Sequence, residues 1–171
     1  MFSSRLLLAA TVAVVAVAVV SCGERAPLGP RSEPAAYFGD AVGALAACTP
    51  IASDSVTQLI GPAGGTLFVG PHVLRVPEGA LSEPVEITAV APSDTVNRIV
   101  FSPHGLDLAE SAWLTMSYAN CGVVNWLLPK RVAYTSDDLL QILEILLSFD
   151  NIFARRVTGR LDHFSTYAVA W

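Results

Sequence analysis

The sequence predicts an all-β protein, an antiparallel β-sandwich of short strands, and three features predict it. From about Ile51 onward the chain runs in short apolar stretches punctuated by Gly, Pro, Asn and Asp. Two of these stretches alternate at period two. "PVEITAVAP" sets Val85, Ile87 and Ala89 on one face and Glu86 and Thr88 on the other, and "WLTMSYAN" does the same with Leu114, Met116 and Tyr118. Alternation of this kind marks a strand with one buried face. Finally, the strands are short and separated by regular turn signals, as in a sandwich.

The chain has 171 residues, enough for one domain with short appendages. It begins "MFSSRLLLAATVAVVAVAVVSCGE". Arg5 is the one charge of a short leader, and residues 6–20 are weakly polar to apolar throughout. A run of 15 residues is short of the roughly 20 that span a bilayer, and it suits the core of a signal peptide. The following Val19-Val20-Ser21-Cys22 resembles a bacterial lipobox, although Val19 stands where Leu is commoner. That resemblance implies cleavage before Cys22 and lipidation of its sulfur, chemistry that needs a thiolate nucleophile. Several acyl chains on one residue anchor durably, since each buried methylene adds roughly 0.8 kcal/mol. Gly23 offers no acidic retention signal, which leans the expected location to the outer membrane.

Residues 1–21 are therefore expected as a signal peptide, residues 22–50 as a tether and residues 51–171 as the folded domain. Pro27, Gly29, Pro30, Ser32 and Pro34 give the first half of the tether its linker composition, and the Ala-rich stretch 34–47 suits either a short helix or loose packing. With Cys22 lipidated, Cys48 and Cys121 remain, and an even pair in an exported protein points to a disulfide.

In "SVTQLIGPAGGTLFVGPHVLRVPEGAL", Gly61-Pro62 and Gly64-Gly65 mark turns. Residues 67–69 and 73–76 read as strands joined tightly through Gly70 and Pro71. Pro77 fixes φ for a further turn, Gly79 permits positive φ beside it, and Ala80 and Leu81 then drop back onto the sheet. Pro103, His104 and Gly105 make a similar reversal.

Three segments together, "GPAGGTLFVGPHVLRVPEGAL" (61–81), "VFSPHGLDLAESAWLTMSY" (100–118) and the terminal "LDHFSTYAVAW" (161–171), resemble a ZU-five domain. This is the β-sandwich module of zona-occludens scaffolds, ankyrins and netrin receptors, with relatives in bacterial lipoproteins. The resemblance covers about residues 55–171 and is weakest over 119–160. It also bears on "SDDLLQILEILLSFDN". There Leu139, Leu143, Leu146 and Leu147 suit one helix face behind a Ser136 cap, so pattern alone prefers a helix. Ile142 and Glu144 against Leu143 and Ile145 can also be read as a strand after a Ser-Asp-Asp turn; the resemblance prefers strand, and strand is the expectation adopted.

In some relatives of this module a His-Phe-Ser sequence cleaves itself between Phe and Ser. The resemblance implies that Ser165 Oγ would attack the Phe164 carbonyl, with His163 accepting the hydroxyl proton. Such chemistry needs a base within hydrogen-bond reach and a strained peptide bond. The other reading makes "FSTYAVAW" a closing strand with Tyr167, Val169 and Trp171 on one face.

Other chemistry is not signalled. A charge of −5, one unit more negative once Arg5 is removed with the leader, gives no reason to bind nucleic acid. His72, His104 and His163 lie on separate segments without paired metal-ligand spacing. No phosphate-cradling loop or nucleophile elbow occurs, and the Asp-rich turns lack the alternation of a calcium loop. Trp113, Trp126 and Trp171 suit core or rim packing better than a shared binding patch. The expectation is a non-enzymatic module without cofactor or metal, held to the membrane through Cys22 and binding an envelope partner, with self-processing at Ser165 as the alternative.

Overall fold

The computed structural model describes residues 44–122 and 128–171. The expected signal peptide, Cys22, the expected tether up to residue 43 and Trp126 lie outside the described residues. Within them the chain forms strands and no helix. In chain order these are β1 (Asp54–Ile60), β2 (Gly65–Val69), β3 (His72–Val76), β4 (Val85–Ala91), β5 (Arg98–Ser102) and β6 (Asp107–Ser117). They are followed by β7 (Arg131–Thr135), β8 (Ile142–Ile145), β9 (Ser148–Asn151), β10 (Arg156–His163) and β11 (Thr166–Ala170). One sheet has six strands in the order β1-β4-β5-β11-β7-β8, and the other has five in the order β2-β3-β6-β10-β9. Neighbouring strands pair antiparallel.

The alternating stretches fill the core as their pattern requires. Leu67, Leu74, Leu114, Met116, Val157 and Leu161 come from the five-stranded sheet. They meet Ile87, Ile99, Phe101, Val132, Tyr167 and Val169 from the six-stranded one. At Gly159 of β10 the sheets approach so closely that a Cβ would lie 2.6 Å from Val132 Cβ of β7. The turn after β3 is built as expected: Gly79 has φ 81°, Ala80 N–H donates to Pro77 O at 3.3 Å, and Ala80 and Leu81 are buried.

The disputed stretch is strand. Asp138 Oδ1 accepts hydrogen bonds from Ser136 Oγ (2.6 Å) and Leu140 N–H (3.0 Å), while Ser136 N–H donates to Gln141 O (3.0 Å). These local bonds hold a turn where a helix would need its first coil. β8 then pairs with β7, and Leu146 is buried while its neighbour Leu147 is 57% exposed. Cross-strand partners override a helical spacing of leucines here.

The tether ends earlier than residue 50. Leu45, Ala46 and Cys48 are buried, and Ala46 N–H donates to Val169 O (2.8 Å) while Trp171 N–H donates to Ala44 O (3.1 Å). Residues 44–48 thus belong to the sandwich, docked beside the C-terminal end of β11. The composition of this segment looked like linker, but its small apolar side chains are what a closely approached strand accepts.

Cys48 and Cys121 form the expected disulfide, closing 73 residues of sequence separation. The two residues face each other in an antiparallel bridge, flanked by Thr49 N–H to Asn120 O (2.9 Å) and Gly122 N–H to Ala47 O (3.1 Å). The cysteines occupy the non-hydrogen-bonded position, where facing side chains come closest. Beside them Asn97 and Asn120 exchange amide hydrogen bonds (2.7 and 3.0 Å), and Asn120 also reaches Thr49 O (2.6 Å).

Two substitutions test this packing. Cys48→Ser should cost about 4 kcal/mol by the chain-entropy estimate, seen as a lower melting temperature in oxidising buffer only; equal melting with and without reductant in the wild type would reject the bond. Gly159→Ala should destabilise by about 1–3 kcal/mol through overpacking against Val132, measured by denaturant unfolding, and an unchanged midpoint would refute the close approach.

Candidate functional site

The His-Phe-Ser sequence is the corner at which the chain leaves one sheet for the other. β10 ends at His163, β11 begins at Thr166, and only Phe164 and Ser165 join them. Phe164 is buried and stacks on Phe101 with ring centroids 5.2 Å apart. Its N–H donates to Leu106 O (3.0 Å) and its carbonyl accepts Gly105 N–H (2.8 Å). Phe101 N–H donates to Ser165 O (3.0 Å). The corner backbone is therefore tied into the Pro103 to Leu106 segment and β5 through Phe164 N–H and the Phe164 and Ser165 carbonyls.

His163 is held by tyrosines. Its Nδ1 lies 2.8 Å from Tyr167 Oη, and Tyr167 Oη donates to the His163 carbonyl at 2.6 Å. A phenol has one proton to give, so the oxygen that donates to the carbonyl accepts from Nδ1–H. The network thus assigns the proton to Nδ1 and leaves Nε2 as the basic nitrogen. Tyr134 meets the imidazole edge-on at 4.9 Å. Burial first, and then the nearby Tyr134, Glu144 and Asp162, raise the Tyr167 phenol well above its usual range. Among the described residues no hydrogen bond joins His163 to Ser165. The cis peptide bond of the described chain is between Ser102 and Pro103, and its positive-φ non-glycine residues are Leu139 and Arg155, neither of them at the corner.

The three histidines stay apart. His104 is exposed in its turn, His163 sits at the corner, and His72 is buried under β3 with Nδ1 accepting Ser117 N–H at 3.2 Å. Burial, then the charge of Arg156, lowers the His72 imidazole from 6.5 to about 4. No group of three His, Cys, Asp or Glu side chains fit to hold a metal occurs among the described residues. Of the two described tryptophans, Trp113 lies on β6, and Trp171 lies beside Lys130, 5.5 Å from Nζ to ring centroid.

At that end of the sandwich a groove of about 410 Å³ is lined by Tyr118, Lys130, Ile152, Phe153 and Arg155 among others. Tyr118 Oη donates to Asp150 Oδ1 (2.7 Å), and Asp150 Oδ2 accepts Lys130 N–H (2.8 Å). Burial lowers the Lys130 ammonium, partly countered by Asp150.

The outer face of the five-stranded sheet is the more extended candidate. Its register sets side chains in rows. One row is Thr66, Arg75, Trp113 and Arg160, with Trp113 directly between the two arginines. The next is Phe68, Val73, Thr115, Thr158 and Phe149. Thr115 and Thr158 share a hydroxyl hydrogen bond (2.9 Å), and the rings of Trp113 and Phe149 lie 6.1 Å apart. Phe68 is 65% and Phe149 59% exposed. The alternation in "SAWLTMS" and "RVTGRLD" carried half of this signal. The other half, which strands are neighbours, is not in either segment. No protein-family model and no curated protein matches the chain.

The buried His72 makes stability pH-dependent. Its folded-state value lies below the unfolded one, so its contribution is complete above pH 6.5 and is lost as pH falls through about 4. Denaturant unfolding should show the wild type losing about 2–3 kcal/mol more across that window than His72→Gln; parallel curves would refute a buried neutral imidazole.

Proposed function

We propose that the protein is an exported, lipid-anchored binding module. A ZU-five-like sandwich, held at the cell envelope through Cys22, binds or scaffolds another macromolecule and does no chemistry of its own. The observation that carries this reading is the open outer face of the five-stranded sheet, where aromatic and arginine side chains stand in register. A surface of large exposed side chains in a monomeric domain marks an interaction site. The arrangement at the corner also favours binding over self-processing, because among the described residues no hydrogen bond joins His163 to Ser165 and the Phe164 carbonyl accepts an ordinary hydrogen bond from Gly105 N–H. The ZU-five resemblance is supported by the order of the elements it quotes: a β2–β3 hairpin, a Pro-Gly reversal into the long β6, and a final buried strand. Fold likeness by itself assigns no partner.

The anchor and the processing are tested separately. Detergent-phase partitioning should place the wild type with the detergent and Cys22→Ala in the aqueous phase; retention of the variant in detergent would sink the anchor. The intact mass of the denatured, purified chain should end at Trp171. Loss of residues 165–171, abolished in Ser165→Ala, would replace the binding reading with self-processing. Photo-crosslinkers at Phe68 and Phe149 on intact envelopes should trap a partner, and no adduct from either position would reject the face as the binding surface.

A further inference from the structure

We propose that the outer face of the five-stranded sheet binds a carboxylate-bearing polysaccharide. This rests on the binding-module reading above and names the chemistry of the partner.

Charge distribution comes first. The chain is acidic overall, at −5. Yet this face holds Arg75, Arg160 and, one row beyond Thr115 and Thr158, Arg156, against the one carboxylate of Asp162 beside Arg160. The closest acid on the same strands is Asp162, which accepts Ser111 Oγ at 2.5 Å and pairs with Arg160 at 3.4 Å. Among the described residues Arg75 and Arg156 have no ion pair. Unpaired guanidinium groups on one face of an acidic protein steer an anionic partner there and reject its copies of itself. Guanidinium also meets carboxylate in a bidentate fork.

The layout also suits a glycan. Phe68 and Phe149 stand at opposite ends of their row with the Thr115 and Thr158 hydroxyls between them, and Trp113 stands between Arg75 and Arg160 in the next row. Sugar rings offer apolar C–H faces to an aromatic ring and hydroxyls to side-chain oxygens, so a platform mixing both along its length suits them. Five strands spaced about 4.8 Å apart give a span of about 19 Å, room for a short run of sugar rings bearing carboxylates. Phe68 is 65% and Phe149 59% exposed.

The test uses the full chain purified in detergent, titrated with polygalacturonate while tryptophan fluorescence is read. Fully methyl-esterified polymer (same sugar, no charge), poly-glutamate (charge, no sugar) and anionic phospholipid vesicles run beside it. Polygalacturonate should bind at least tenfold tighter than all three. Trp113→Ala and the pair Arg75→Glu with Arg160→Glu should each weaken it at least tenfold, with Leu140→Ala, in the β7–β8 turn of the six-stranded sheet, unchanged. The exposed arginine pair covers the case in which Trp113→Ala does not fold. Poly-glutamate or vesicles binding as well as the polyuronate would overturn the proposal, and so would no binding to any of the four. If that happens while Phe68 or Phe149 still crosslinks an envelope partner, the binding-module reading stands and only the glycan assignment falls.

Discussion

The fold depends on a two-residue corner. Phe164 and Ser165 carry the chain from β10, an interior strand of the five-stranded sheet, to β11, an interior strand of the six-stranded one. The last 16 residues therefore complete both sheets, and every residue of β11 is buried. Neither sheet has its neighbours until this segment arrives, so the sandwich closes through contacts remote in sequence. Contacts of that kind are entropically costly to form and slow folding. The corner is fixed by what surrounds it: Phe164 on Phe101, its backbone bonded to Gly105 and Leu106, and Tyr167 folded back on His163. A break between Phe164 and Ser165 would leave β11 held in the six-stranded sheet by its pairing with β5 and β7 and by its burial, and no longer by the chain.

The second constraint lies at the other end of β11. The docked segment 44–48 is held by backbone bonds to Val169 and Thr95, and by the disulfide to Cys121. The reciprocal bonds of Asn97 and Asn120 satisfy buried amides in the same place. A disulfide stabilises mainly by limiting the unfolded chain, and here it also ties the docked segment 44–48 to the sandwich.

Strand identity was legible in the residues because it is written at period two. Leu114, Met116 and Tyr118 share a buried face in the structure just as in the sequence, and Gly79 takes the positive φ its turn requires. The cysteine pairing followed from an even count once the chain was read as exported. The stretch around Leu143 was ambiguous because its leucines satisfy two periods, and the choice was made by β7 lying alongside, a fact outside the segment. Residues 44–48 fell within the expected tether because nothing in their own composition shows the strand end they pack against. The candidate face was invisible for the same reason as the β8 pairing. Arg75, Trp113 and Arg160 lie 38 and 47 positions apart in the chain, and only the order of strands makes them neighbours.

That order also sets the two outer faces apart. Among the described residues the outer side of the six-stranded sheet carries its own apolar cluster, in which Ala133, Ala168 and Ala170 are covered by Leu45 and Ile142. Small residues there let a docked segment and a neighbouring turn lie close. The outer side of the five-stranded sheet instead presents Phe68, Arg75, Trp113, Phe149 and Arg160, larger and partly charged side chains. The asymmetry is set by residue size at alternate strand positions. Where β11 alternates core residues with alanine, the chain's own segment lies close. Where β6 and β10 alternate them with tryptophan, threonine and arginine, large side chains stand out from the sheet.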